Sequence, residues 1–222
     1  MSTTEAVLVS VRALMMRYGS TTTLEDVDLD VPAGADMALT GRSGSGKTTL
    51  LLVIAGLLVP TQGTVTWPGL DGNPRVRRGQ IGMVFQAPAL MPELTALQNV
   101  TLPLRLRGVD RPTAERDALE ALVAVAAADL RDALPTQLSG GQQQRIAIAR
   151  VLAGRHRLVL ADEPTGALDR AHAFEAALAL RDGVAAVGGA LVLATHDPEL
   201  AELFDHRVAI VDGSVRHSVR TS

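Results

Sequence analysis

Gly41-Arg42-Ser43-Gly44-Ser45-Gly46-Lys47-Thr48 follows the pattern G-x-x-x-x-G-K-[ST]. Such glycines let successive backbone N–H groups curl around phosphate oxygens, and Lys47 adds a positive charge for the β and γ phosphates. The Thr48 hydroxyl suits a Mg2+ ligand, and the helix that the loop opens adds its partly positive N-terminal end. A second run, Leu158-Val159-Leu160-Ala161-Asp162-Glu163, ends an aliphatic stretch on two carboxylates. Asp162 suits Mg2+ coordination, and Glu163 is placed to be the base for a water attacking a γ-phosphate. An acidic turn-starter before Pro164 is the alternative, and it loses force beside the phosphate loop.

Three further signals are open on the residues alone. Leu138-Ser139-Gly140-Gly141-Gln142 precedes a helix and offers a second anion seat, but plain helix capping also accounts for it. His196 and Gln86 each follow an apolar strand, where α/β sheets bind ligands; a hydrogen-bonded loop residue describes either equally well. Tyr18, the only tyrosine, either stacks on a base or packs at a domain edge.

The elements that must position these residues follow from the hydrophobic pattern. Val27 to Val31 alternates apolar and acidic, a strand with one wet face. Met37 to Thr40 runs as a strand into the phosphate loop, and Thr48 to Leu58 follows as an apolar helix stopped near Pro60. Strands are expected at Thr64–Trp67 and Ile81–Phe85, with a Gly/Pro/Asn-containing turn region between them. Helical patterns such as Ala114 to Leu130 fill the stretch that follows. Leu158–Ala161 and Ala190–Ala194 are unbroken aliphatic runs, which suits parallel strands buried on both faces. Val208–Val211 is a further strand, and Ala177, Leu180, Val184 and Val187 keep helical spacing. The expected fold is α/β: a P-loop core with a mostly parallel sheet, an attached antiparallel β subdomain, and a helical subdomain inserted at about 87–150 of a single 1–222 domain.

Composition narrows the function. Lys plus Arg is 21 against 24 Asp plus Glu, a net charge of -3 that argues against nucleic-acid binding. Only five of the 222 residues are aromatic, too few for a base-stacking platform, and there is no cysteine for a thiolate metal site. The apolar run at 50–60 is about half the ~20 residues that span a bilayer. The first ten residues lack a secretory pattern, so a cytoplasmic location is expected.

In this order, and over nearly the whole chain, the motifs resemble the ATP-binding subunit of an ABC transporter. The resemblance implies ATP and Mg2+ as cofactors. It assigns Tyr18 to adenine stacking, Gly41 through Thr49 to the phosphates, and Gln86 to the glutamine loop near the metal. Ser139, Gly140, Gly141 and Gln142 become the nucleotide-contacting signature. Thr48, Gln86 and Asp162 become metal-linked groups, Glu163 the catalytic glutamate and His196 the switch histidine, with Ala167-Leu168-Asp169 ending the D-loop. The segments 85–100, 138–145 and 161–169 are similar to the macrolide-export and lipoprotein-release branch, although Gln98 stands where that branch often has Glu. Antimicrobial-peptide exporters and cell-division ATPases lie close by.

The chain offers two phosphate-seeking helix starts, after Gly46 and after Gly141. One ATP uses both if a second copy supplies one of them, giving a two-fold dimer with ATP between Lys47 of one chain and Ser139 of the other. The expected role is an ATPase subunit that drives a separate membrane permease from the inner face of the membrane. Met91, Leu94, Leu97 and Leu104 are candidate exposed contacts for that permease. An ATP-driven mechanical switch of a membrane partner in cell-wall or division control, without transport, is the alternative.

Overall fold

Two long strands, β1 (Val7–Tyr18) and β2 (Thr21–Pro32), form an antiparallel pair joined through Gly19, and β4 (Gln62–Thr66) adds to the other edge of β1. The computed structural model describes residues 6–72 and 79–218, so part of the expected turn between Trp67 and Ile81 lies outside the described residues. On β2, Val27, Leu29 and Val31 are buried while Asp28 is exposed, as the alternation predicts. β1 was not legible because its alternation breaks at Ala13. That residue takes a left-handed φ of 45°, its N–H donates to Asp28 Oδ1 at 2.7 Å, and the register slips between Val11 and Leu14. An inserted residue of this kind bends the strand and flips the inside-outside pattern.

The second sheet has the order β5 (Ile81–Val84), β6 (Leu158–Asp162), β7 (Ala190–Thr195), β3 (Asp36–Thr40), β8 (His206–Val211), β9 (Ser214–Ser218). All pairs are parallel except β8 with β9. Every residue of β6 and β7 is buried, which explains their unbroken aliphatic sequences. The register places Val84 beside Ala161, Asp162 beside Ala194, and Thr40 beside Thr195. The carboxyl ends of β3, β5, β6 and β7 therefore finish along one edge. The phosphate loop, Gln86, Glu163 and His196 all leave from it.

Six α-helices accompany the sheets among the described residues: α1 (Lys47–Ile54), α2 (Ala96–Leu106), α3 (Arg111–Ala124), α4 (Gly140–Leu152), α5 (Arg170–Ala185) and α6 (Pro198–Ala201). α1 stops earlier than the apolar run suggests. Gly56 turns left-handed at φ 71°, and the N–H groups of Leu57 and Gly56 return to the carbonyls of Leu52 and Val53, which closes the helix in a Schellman motif. α3 starts before Ala114 because the Asp110 side chain caps it through the Thr113 N–H. It ends before Leu130 because Ala126 turns left-handed at φ 51°. The two hydrophobic clusters lie on opposite sides of the parallel sheet's strands: Leu39, Leu50 and Leu160 join the one that includes β1 and β2, and Val159, Leu193 and Ile148 join the one that includes α2 to α5. Two expectations are corrected. Leu104 is buried in the helical cluster, 2 % exposed, because its face of α2 turns inward. Val187 lies beyond the end of α5 and is 41 % exposed. No described helix is long and apolar enough to cross a membrane.

Candidate nucleotide site

The phosphate loop is shaped by close packing. At Gly46 the backbone has φ 105°, and a Cβ would come within 2.6 Å of Leu24 Cδ2 and 3.0 Å of the Thr23 carbonyl. Only glycine lets β2 lie this near the start of α1. Gly46 is also the N-cap of α1 and supplies no side-chain cap, so the first N–H groups of the helix remain available to an anion. Lys47 is 5 % exposed; its Nζ donates to the carbonyls of Gly41 at 2.8 Å and Arg42 at 3.2 Å, and lies 3.4 Å from Glu163 Oε1.

A cavity of about 290 Å³ lies beside this lysine. Tyr18, Ser43, Gly44, Gly46, Lys47, Thr48, Thr49, Gln86 and Glu163 line it, all of them singled out by the sequence. Thr23 lines it as well and was missed. The signal for Thr23 lay in the pairing of Tyr18 with Thr21 across the Gly19 turn, which brings the start of β2 beside the tyrosine. Gly41, Arg42 and Ser45 line a neighbouring cavity of about 670 Å³, which shares Thr23, Ser43 and Gly44 with the first and is also lined by residues 209–213.

Glu163 has a left-handed φ of 44°, a conformation that costs a non-glycine residue roughly 1–3 kcal/mol. Its N–H still donates to Ala194 O at 3.0 Å, one step beyond the end of β6, and its carbonyl accepts from Gly166 N at 3.2 Å. The twist returns the carboxylate to the cavity, with Oε2 3.0 Å from His196 Nδ1. Since the carboxylate only accepts, Nδ1 carries the proton in that contact.

Asp162 is 5 % exposed, and burial pushes its carboxyl pKa up. A hydrogen bond from the Thr48 side chain and the charge of Lys47 oppose that shift, while the charge of Glu163 adds to it. Oδ1 of Asp162 is buried with no hydrogen-bond partner among the described residues. An orphaned carboxylate oxygen beside a threonine hydroxyl is the donor chemistry that a hard cation such as Mg2+ takes, so the residues present fit that ion.

The Leu138–Gln142 motif sits apart. Ser139 caps α4 in a capping box: its Oγ accepts from Gln142 N at 3.2 Å, and Gln142 Oε1 accepts from Ser139 N at 2.8 Å. Gly141 packs on the loop after β6, where a Cβ would meet Leu168 Cδ2 at 3.0 Å. None of residues 139–142 lines the cavity beside Lys47. Gln98, the departure from the branch pattern, serves in a capping box with Thr95 at the start of α2, a task that Gln and Glu perform alike.

Comparison with known proteins places the chain among relatives. A model of the ABC transporter family matches residues 24–166. The lipoprotein-releasing system ATP-binding protein LolD of Shewanella frigidimarina is 38% identical over 233 residues, covering 100% of this chain and 98% of that protein. The macrolide export ATP-binding/permease protein MacB of Salmonella choleraesuis is 39% identical over 202 residues, covering 88% of this chain and 31% of that protein. A dimeric ATP-binding cassette solved in a post-hydrolysis state with ADP and Pi superposes with a TM-score of 0.84 at 34% identity, covering 96% of this chain and 98% of that one.

Proposed function

Because the chain belongs to the ABC transporter family and is an ATP-binding, ATP-hydrolysing subunit, we propose that it drives a membrane permease carried on a separate chain, in lipoprotein release or export. Two matches support this reading. The LolD relative is matched along its length, whereas the ATP-binding/permease protein MacB is matched over 31% of its own. The chain then works at the inner face of the cell membrane. Residues 1–222 act as one ATP-binding domain, with the stretch from about 87 to 150 as an inserted helical part that meets the permease. Met91 is half exposed there, while Leu94 and Leu97 are partly buried, so these three stay available as contacts and Leu104 does not.

The residue roles follow from the chemistry of the cavity. Tyr18 stacks on the adenine. Phosphate oxygens offer Lys47 a charged partner in place of the Gly41 and Arg42 carbonyls, and charge-assisted bonds are the stronger ones. ATP entry therefore draws Lys47 away from Glu163, which stays held by His196. Glu163 then takes the proton of the attacking water, and His196 orients the carboxylate. Thr48 and Asp162, with Gln86, hold Mg2+, which when bound neutralises phosphate charge. Ser139, Gly140, Gly141 and Gln142 of a second copy close the site over the γ-phosphate.

The observation that carries this reading is Glu163, twisted into a left-handed conformation with its two oxygens between Lys47 and His196. Glu163→Gln tests it. ATP affinity should stay within about twofold while hydrolysis falls by ~10²–10⁴, the usual contribution of a general base. ATP should then trap a dimer detectable by gel filtration. Near-normal turnover would remove Glu163 from the role of base.

A further inference from the structure

Helix α4 reaches the phosphate cavity by a route that the motifs do not announce. Gln144 is completely buried, at 0 % exposure, yet its carboxamide is only partly satisfied. Nε2 donates to Phe85 O at 3.2 Å, and Oε1 has no partner among the described residues. An apolar side chain of similar size would be the more stable choice there, since a buried polar atom without a partner keeps its full desolvation cost. Further along the helix, Arg150 donates from Nη2 to Pro88 O and from Nη1 to Ala89 O, each at 2.9 Å. The partial burial of this guanidinium is also unfavourable and pushes its pKa down. Ala89 has a left-handed φ of 47°, which persists only where the surroundings fix it. One helix thus commits a buried amide and a half-buried guanidinium to the carbonyls of residues 85, 88 and 89. Between these anchors lie Gln86 and Ala87, both exposed.

We infer that Gln144 and Arg150 are positioning residues for Gln86: they pin the backbone on both sides of it, so that its side chain enters the phosphate cavity from a fixed place. The inference rests on the role proposed above for Gln86 toward the phosphates and Mg2+. Pinning matters because a misplacement of about 1 Å at a reacting centre costs on the order of 10²-fold in rate.

Two variants test it in the full chain. Gln144→Leu removes the amide at similar volume, and Arg150→Lys keeps the charge but loses the planar fork that spans two carbonyls. Each should leave ATP affinity within about twofold, lower kcat about tenfold, and raise the Mg2+ concentration for half-maximal activity. In a Gln86→Ala background the same changes should cost less than about twofold more, because they act through Gln86. Fully additive losses in that background, with a lowered melting temperature, would make both residues packing groups and overturn the inference. Amide exchange over residues 85–90 separates this failure from failure of the Gln86 role. Pinning predicts exchange faster by about tenfold or more in both variants, whatever Gln86 does. Normal turnover of Gln86→Ala with fast loop exchange would overturn the Gln86 role and leave the pinning in place. Unchanged exchange would overturn the pinning itself. If Gln144→Leu fails to fold, Arg150→Lys carries every arm.

Discussion

Lys47 sits at 5 % exposure between two carbonyls and the Glu163 carboxylate. Lys47→Ala should lower ATPase activity by ~10² or more, as loss of a preorganised charge-stabilising donor does, and should weaken nucleotide binding. A phosphate-release assay with normal turnover would remove Lys47 from the site. Tyr18 is half exposed and lines the cavity beside Lys47. Tyr18→Phe should behave as wild type, and Tyr18→Ala should raise the KM for ATP more than it lowers kcat. Equal kinetics for Tyr18→Ala and wild type would return the residue to the domain edge. The groups that sequence reached at this scale are those whose meaning is local: a phosphate loop of eight contiguous residues, and two adjacent carboxylates. Gln144 and Arg150 escaped because their partners are distant. Gln144 and the carbonyl that it holds are 59 residues apart, and nothing in the spacing of either marks the pair.

At the scale of elements, periodicity located the strands that are buried on both faces and failed where a single residue interrupts the pattern. Ala13 hid β1, and Gly56 and Ala126 shortened two helices through left-handed turns. The segment between α4 and β6 carries a consequence for stability. His156 packs against Gly82 and Gly154, where a Cβ would come within 2.5 Å and 2.1 Å of its ring, and its Nδ1 contacts Gly79 O at 2.9 Å. Burial pushes its pKa down to about 4, with the Arg107 charge adding and the Gly79 hydrogen bond opposing. Between about pH 6.5 and 4 the unfolded chain binds this proton and the folded chain does not. Stability from this group is thus complete above pH 6.5 and lost as the pH falls toward 4, by no more than about 3 kcal/mol. Urea titrations of wild type and His156→Asn should show a steeper acid loss in the wild type. Parallel pH profiles would mean that His156 is protonated in the folded chain.

For the whole molecule, the parallel sheet does what no local signal reveals. It gathers Thr40, Val84, Asp162 and Thr195 along one edge, so that four loops from separate parts of the chain deliver Lys47, Gln86, Glu163 and His196 to one place. The same architecture leaves Ser139 outside that cavity, in a capping box at the start of α4. Within one chain the two anion seats therefore do not line one cavity, as the proposal of sites shared with a second copy requires. The most direct test mixes Lys47→Ala protomers with Ser139→Arg protomers and purifies the mixed dimer by two tags, with the permease present if the dimer needs it. When sites are shared, both defects fall in one site and the other site is intact. A single-turnover experiment should then give a phosphate burst from about half the sites, although each variant alone is inactive. A mixed dimer that forms and binds ATP yet gives no burst would contradict shared sites and reduce the Ser139 segment to a helix cap.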